Sequence, residues 1–201
     1  MPSFLTLTAP LSLEINPIKK SRFIADIAPI QDVPEAQAFI ASVQARRSDA
    51  SHHCWAWRLA SGDGGWRVSD DGEPGGTAGR PILARIDGAA LCGVVVVVTR
   101  YFGGTKLGKG GLIRAYGGAA GTALAAADIH EVQQTQSFEI SFAYSDQAAI
   151  DSVLRAYSLT PTASVFEAEV THTLAVPVDD IEAISIALQD RTAGRVALRE
   201  V

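Results

Sequence analysis

The chain has 201 residues, 47% of them hydrophobic and 19% charged, with a formal net charge of −5. Those values place it among globular chains able to bury a core, in one large domain or two small ones. The longest apolar run, Ala89 to Val98, is about half of the ~20 residues that a membrane span requires, so it reads as a buried strand.

Met1 to Pro10 has no basic n-region and no continuous apolar stretch, so export is not expected and the chain reads as cytoplasmic. Cys54 and Cys92 are too few for a disulfide scaffold and read as reduced thiols. The charge is unevenly spread. Before Ser137 there are 13 basic and 12 acidic residues; from there on there are 4 and 10, so the acidity belongs to the second part. Within Thr99 to Arg114, the cations Arg100, Lys106, Lys109 and Arg114 occur with no carboxylate among them, which is where a polyanion would be met.

In chain order, Val33, Ala36, Phe39, Ile40 and Val43 recur at helical spacing behind Asp32, an N-cap residue, and predict a helix over Pro34 to Arg47. His52 to Leu59 alternates in part and suits a strand; Trp55 and Trp57 share one face of it and read as core. Seventeen of the 18 glycines fall between Gly62 and Gly121, concentrating tight turns and close backbone approaches there. Gly93 to Thr99 is apolar and β-branched, as in a strand covered on both faces. Leu112 to Ala127 is alanine-rich and predicts a closely packed helix. The second part offers a strand over Phe138 to Tyr144 and a helix over Asp146 to Tyr157 capped by Ser145. Strands follow near Thr160 to Phe166 and Ala168 to Val176, then a helix from about Asp179 and a strand over Val196 to Val201. That βαββαβ order is the ferredoxin-like unit, and the domains divide as 1–135 and 136–201.

Three constellations bear on chemistry. Gly103-Gly-Thr-Lys-Leu-Gly108-Lys109-Gly110 nearly spells the phosphate-cradling GxxxxGK[ST] loop, but Gly110 stands where a hydroxyl should hold magnesium, which argues against nucleotide hydrolysis. Backbone amides at a helix start and two lysines retain an affinity for anions without that hydroxyl. The competing structural reading is that the glycines only let a helix pack tightly on its sheet. Ser69 to Thr77 carries Asp70, Asp71 and Glu73, a carboxylate cluster that suits acid–base or cation chemistry but equally a solvated Asp-Gly and Pro-Gly turn. His52-His53-Cys54 cannot converge on one metal, because neighbours on a strand face opposite ways.

The runs Lys20-Ser-Arg-Phe-Ile24, His52-His-Cys-Trp-Ala-Trp57, Ser69 to Gly79 and Arg100 to Gly118 together resemble the YigZ/IMPACT family, in its bacterial two-domain form. The resemblance implies an α+β chain with an N-terminal left-handed βαβ domain, as in a ribosomal small-subunit protein, followed by a ferredoxin-like domain similar to the last domains of elongation factor G. Both relatives handle RNA, and eukaryotic family members are linked to translational control through a protein partner. No RWD-type domain of the eukaryotic kind is found in these residues, so that partner does not transfer.

The reading that follows is a non-catalytic binding protein, associated with RNA or the ribosome and with regulation of translation. It needs no cofactor and no metal. The anion-binding residues are Arg100, Gly103, Gly104, Lys106, Gly108, Lys109, Gly110, Gly111 and Arg114. Two alternatives stand beside it: a magnesium-dependent hydrolase or transferase using Asp70, Asp71 or Glu73 on an anionic substrate, and a protein–protein adaptor of the translation machinery in which the glycine loop is architectural.

Overall fold

The structure is a computed structural model that describes residues 3–60 and 65–201; Gly62 and Gly64, at the start of the glycine-rich stretch, lie outside the described residues. It divides into two compact units, Phe4–Val132 and Gln133–Val201, with Ser3 grouped with the latter. The division falls three residues before the boundary expected after residue 135.

The first unit contains β1 (Ser3–Leu7), β2 (Leu11–Ile18), β3 (Ser21–Pro29), α1 (Val33–Arg46), β4 (His52–Arg58), β5 (Trp66–Ser69), α2 (Gly79–Gly88), β6 (Val94–Tyr101), α3 (Lys109–Ala125) and β7 (Ile129–Gln133). Five strands form one sheet in the order β2-β3-β6-β4-β5, with every neighbouring pair antiparallel. Strands β3 and β4 thus run parallel on either side of β6 and are joined through α1, a βαβ crossover. β1 and β7 make a separate two-stranded sheet.

The valine run of β6 divides between two cores, as the period of a strand requires. Val95 and Val97 pack with Ala36, Ile40 and Val43 of α1 and with Trp57. Val94, Val96 and Val98 face Ile82 and Ile86 of α2 and Leu112, Ala115, Tyr116 and Ala119 of α3. A strand buried on both faces reads as a continuous apolar run, which is why it is visible in the sequence. Helix α1 starts where expected: Asp32 Oδ1 accepts from Glu35 N–H at 2.8 Å, and Glu35 Oε2 reaches back to accept from Gln31 N–H, one residue before the cap, at 2.7 Å.

The second unit runs β8 (Thr135–Phe142), α4 (Gln147–Ala156), β9 (Pro161–Phe166), β10 (Val170–Pro177), α5 (Ile181–Thr192) and β11 (Arg199–Glu200), with the sheet in the order β11-β8-β10-β9. All pairings are antiparallel, and Ile140, Leu174, Ile150 and Ile184 are among the side chains that close the core between sheet and helices. This is the βαββαβ arrangement expected. Two local expectations fail. Ser145 does not cap α4, because Tyr144–Asp146 forms a 3₁₀ turn and the helix begins at Gln147 without a side-chain cap. Asp146 instead holds Arg195 at 2.6 Å, and that hydrogen-bonded pair keeps the Asp146 carboxyl below its usual range. The closing strand is only Arg199–Glu200, paired with Glu139 and Phe138.

One buried ion pair ties α1 to the sheet. Asp26, in the middle of β3, is 1% exposed, and Arg47 at the end of α1 donates to it through Nη1 at 2.7 Å. Arg47→Met would leave that carboxylate buried without its nearest partner, so we expect a loss of about 3 kcal/mol, read from the urea midpoint. Asp26→Asn added to Arg47→Met should recover part of it, since the buried charge is then gone.

Candidate functional site

The glycine loop begins where β6 leaves the sheet. Phe102 N–H donates to Ser51 Oγ at 3.1 Å, and Gly103 N–H donates to Ser21 Oγ at 3.1 Å. Gly103 is required by contact: a Cβ there would lie 2.0 Å from the Lys20 carbonyl carbon. The loop is therefore pressed onto the β2–β3 turn, where Lys19 and Lys20 take φ of 48° and 67°. Both are exposed. Helix α3 starts at Lys109 rather than Leu112, so Gly110 and Gly111 belong to its first turn. Gly108, with φ of 71°, occupies the N-cap position and offers no side-chain cap. The first-turn amides have no intrahelical acceptor, which leaves them to solvent or to a ligand.

Beneath the loop is a buried polar hub. Arg100 is 4% exposed; its Nη1 donates to Glu73 Oε1 at 2.6 Å and its Nη2 to Ser21 Oγ at 3.3 Å. The same Glu73 oxygen accepts from Tyr116 Oη of α3 at 2.7 Å. Burial, then the neighbouring Cys54 and Glu73, push the Tyr116 hydroxyl far up, so it stays a donor at neutral pH. Arg100 Nε is buried without a hydrogen-bond partner. The hub is roofed by Phe102, whose ring centre is 5.3 Å from the guanidinium carbon.

A cleft of about 360 Å³ opens above this hub. Pro74, Leu107 and Leu112 supply apolar lining; Glu73, Arg100, Phe102, Lys106, Gly108 and Lys109 complete it. Lys106 and Lys109 are exposed and, among the described residues, neither they nor Arg114 form an ion pair.

The residues singled out from the sequence thus divide. Lys106, Gly108 and Lys109 line the cleft; Gly110 and Gly111 follow in the first turn of α3. Gly104 is exposed on the loop, and Arg114 is exposed on α3 outside the cleft lining. Arg100 is not the free cation that its place in a basic run implies, because Glu73 neutralises it inside the protein.

The three carboxylates of the acidic loop do not converge. Asp70 accepts from the N–H groups of Gly76, Ala78 and Gly79 at 2.8, 2.9 and 2.9 Å. Burial alone would raise its carboxyl, but these amides outweigh that and hold it below the usual range. Asp71 Oδ2 accepts from His53 N–H at 2.6 Å, and Glu73 belongs to the hub. His52 Nδ1 lies 2.8 Å from the Asp71 carbonyl, whereas His53 Nε2 lies 3.0 Å from that of Arg47, so the two rings serve different neighbours. Cys54 is fully buried, with its Sγ donating to the Asp70 carbonyl at 3.0 Å, and burial pushes the thiol up to about 12. It is no thiolate nucleophile near neutral pH.

Sequence reasoning missed Ser21, Lys19, Lys20, Tyr116 and Phe102. The Ser21 partners lie 79 and 82 positions away, beyond any local signal. Phe102 had one: an aromatic residue set between a strand and two glycines.

Fold and site together define a two-domain α+β protein whose first domain carries a cleft at the start of α3, with Lys106 and Lys109 in its lining. The model described as the Impact N-terminal domain matches residues 19–124, and a domain of unknown function, DUF1949, matches residues 140–195. The IMPACT family member YigZ of Escherichia coli is 36% identical over 200 residues, 98% of each chain. A Thermus thermophilus IMPACT family member is 38% identical, covering 89% of this chain and 97% of its own. A solved structure described only as a hypothetical protein is 35% identical, covers 100% of this chain and 98% of its own, and superposes with a TM-score of 0.75. Another, described as the two-domain translational regulator Yih1, is 26% identical over 61% of this chain and 47% of its own, with a TM-score of only 0.35. The chain belongs to the IMPACT family.

Two outcomes test the site's construction. Glu73→Ala leaves Arg100 as an unpaired buried charge and should cost about 3 kcal/mol or more in a denaturant titration, whereas Lys106→Ala should change stability by less than about 0.5 kcal/mol. Asp70 stabilises the fold above its unfolded carboxylate pKa, and that contribution is lost as pH falls through its lower folded value. Asp70→Asn should therefore lower the thermal midpoint at pH 7 and flatten its decline on acidification.

Proposed function

We propose that the protein binds RNA, free or within the ribosome, through the cleft at the start of α3, and acts in translation without catalysis. The observation that carries this reading is the coincidence of a helix start without a side-chain cap and lysines that form no ion pair among the described residues: Lys106 and Lys109 at the cleft, with the Lys19–Lys20 turn packed against Gly103. Amides at a helix start meet phosphate oxygens through hydrogen bonds and the helix dipole, and flanking lysines add charge at short range. Arg100 is in this reading a positioning residue, since its guanidinium holds Glu73, Ser21 and hence the loop.

The contribution of phosphate contacts is read from salt. Association with a ribosomal RNA fragment should weaken steeply as ionic strength rises. Lys106→Ala with Lys109→Ala should lower the slope of log affinity against log salt by about 2, one for each phosphate contact removed. An unchanged slope and affinity in the double variant would exclude the cleft as the RNA contact. A ribosome pull-down that survives nuclease and ignores both substitutions would instead favour an adaptor binding to protein.

A further inference from the structure

Phosphate contacts do not account for everything the cleft presents. Phe102 is 49% exposed although it lies at the end of a buried strand, and it forms part of the cleft lining with Pro74, Leu107 and Leu112. A surface made only to hold a phosphate backbone has no use for an open aromatic ring and apolar lining. The ring is also held in place: its backbone N–H is fixed to Ser51, and the Arg100 guanidinium lies 5.3 Å from the ring centre. That arginine is 4% exposed, lines the cleft and keeps one N–H, on Nε, with no partner. At about 360 Å³ the cleft falls at the small end of the ~300–1,000 Å³ of ligand sites, too small for a nucleic-acid helix to enter.

Resting on the RNA-binding reading above, we propose that the cleft receives one unpaired base of a single-stranded RNA segment, stacked on Phe102, with adjoining phosphates met by Lys106 and Lys109. An aromatic ring beside cations is the combination by which single strands are held, because every base has a π-face and every nucleotide a phosphate. Bases paired within a duplex are already stacked on each other and cannot reach the ring. The partner is therefore a loop, bulge or end of RNA rather than a helix.

The test uses the full chain and two fluorescent probes, a short oligouridylate and an RNA duplex of equal length, followed by anisotropy. The wild type should prefer the single strand. Phe102→Ala should weaken single-strand binding about tenfold or more while leaving duplex affinity and the single-strand salt slope unchanged. Phe102→Tyr, which keeps the ring, should bind as the wild type does, so a folding defect in the alanine variant cannot pass for a lost stack. Phe102→Ala binding the single strand normally, or losing the same factor on both probes, overturns the stacking role. If the wild type binds both probes equally with a steep salt dependence, RNA binding stands and base capture falls. If it binds neither, both fall together.

Discussion

The ion pair between Arg100 and Glu73 is the constraint on which the site depends. Both side chains are about 5% exposed, and taking two charges out of water costs several kcal/mol each, a cost offset by their mutual attraction and by the hydrogen bonds around them. Glu73 accepts from Arg100 and from Tyr116; Arg100 reaches Ser21 as well. Four segments distant in the chain meet there: the start of β3, the acidic loop, β6 and the body of α3. Such a pair adds little net stability compared with an apolar packing of the same volume. It does restrict how the four segments can be arranged, since any shift leaves a buried charge unmet.

The consequences run outward from that pair. Ser21 Oγ accepts from Arg100 and from Gly103, so the hydroxyl that satisfies the arginine also fixes the first glycine of the loop. With Gly103 fixed against Lys20, the remaining loop spans to Gly108 and delivers Lys106 and Lys109 to the rim of the cleft. The acidic loop is built independently, by three amides closing on Asp70, and this places Glu73 where Arg100 requires it. Charge is thereby sorted by depth. The buried cation is paired and serves architecture, while the exposed lysines form no ion pair among the described residues.

What the sequence made legible follows from how local the signals are. β6, α1 and the βαββαβ unit were readable because period and capping act within a few residues: valines on both faces of one strand, Asp32 against Glu35, alternating apolar positions in β8 and β10. Helix α2 was not, since it opens at Gly79 with no side-chain cap and contains Pro81. The start of α3 was placed three residues late because Gly110 and Gly111 are poor helix formers and Gly108 offers no side-chain cap to mark the start. The basic run of the site was legible as composition, but its division into one buried and several exposed cations was not. That division is set by Glu73, 27 positions from Arg100, and by Ser21, 79 positions away.

The electrostatics bear on how such a surface can work in a chain whose formal net charge is −5. At physiological salt, exposed charges are screened over about 8 Å, so the net charge of the whole chain does not set the potential at the cleft, and a lysine pair does not attract a polyanion from afar. Attraction has to be made at contact, within the reach of a few side chains and backbone amides. A handful of cations supplies modest affinity, and little of it distinguishes one polyanion from another. On the proposed RNA-binding reading, specificity then comes from groups that are neither charged nor on the backbone. At this cleft those groups are the Phe102 ring, 5.3 Å from the Arg100 guanidinium carbon, and the apolar side chains of Pro74, Leu107 and Leu112, while Arg100 itself is paired with the buried Glu73.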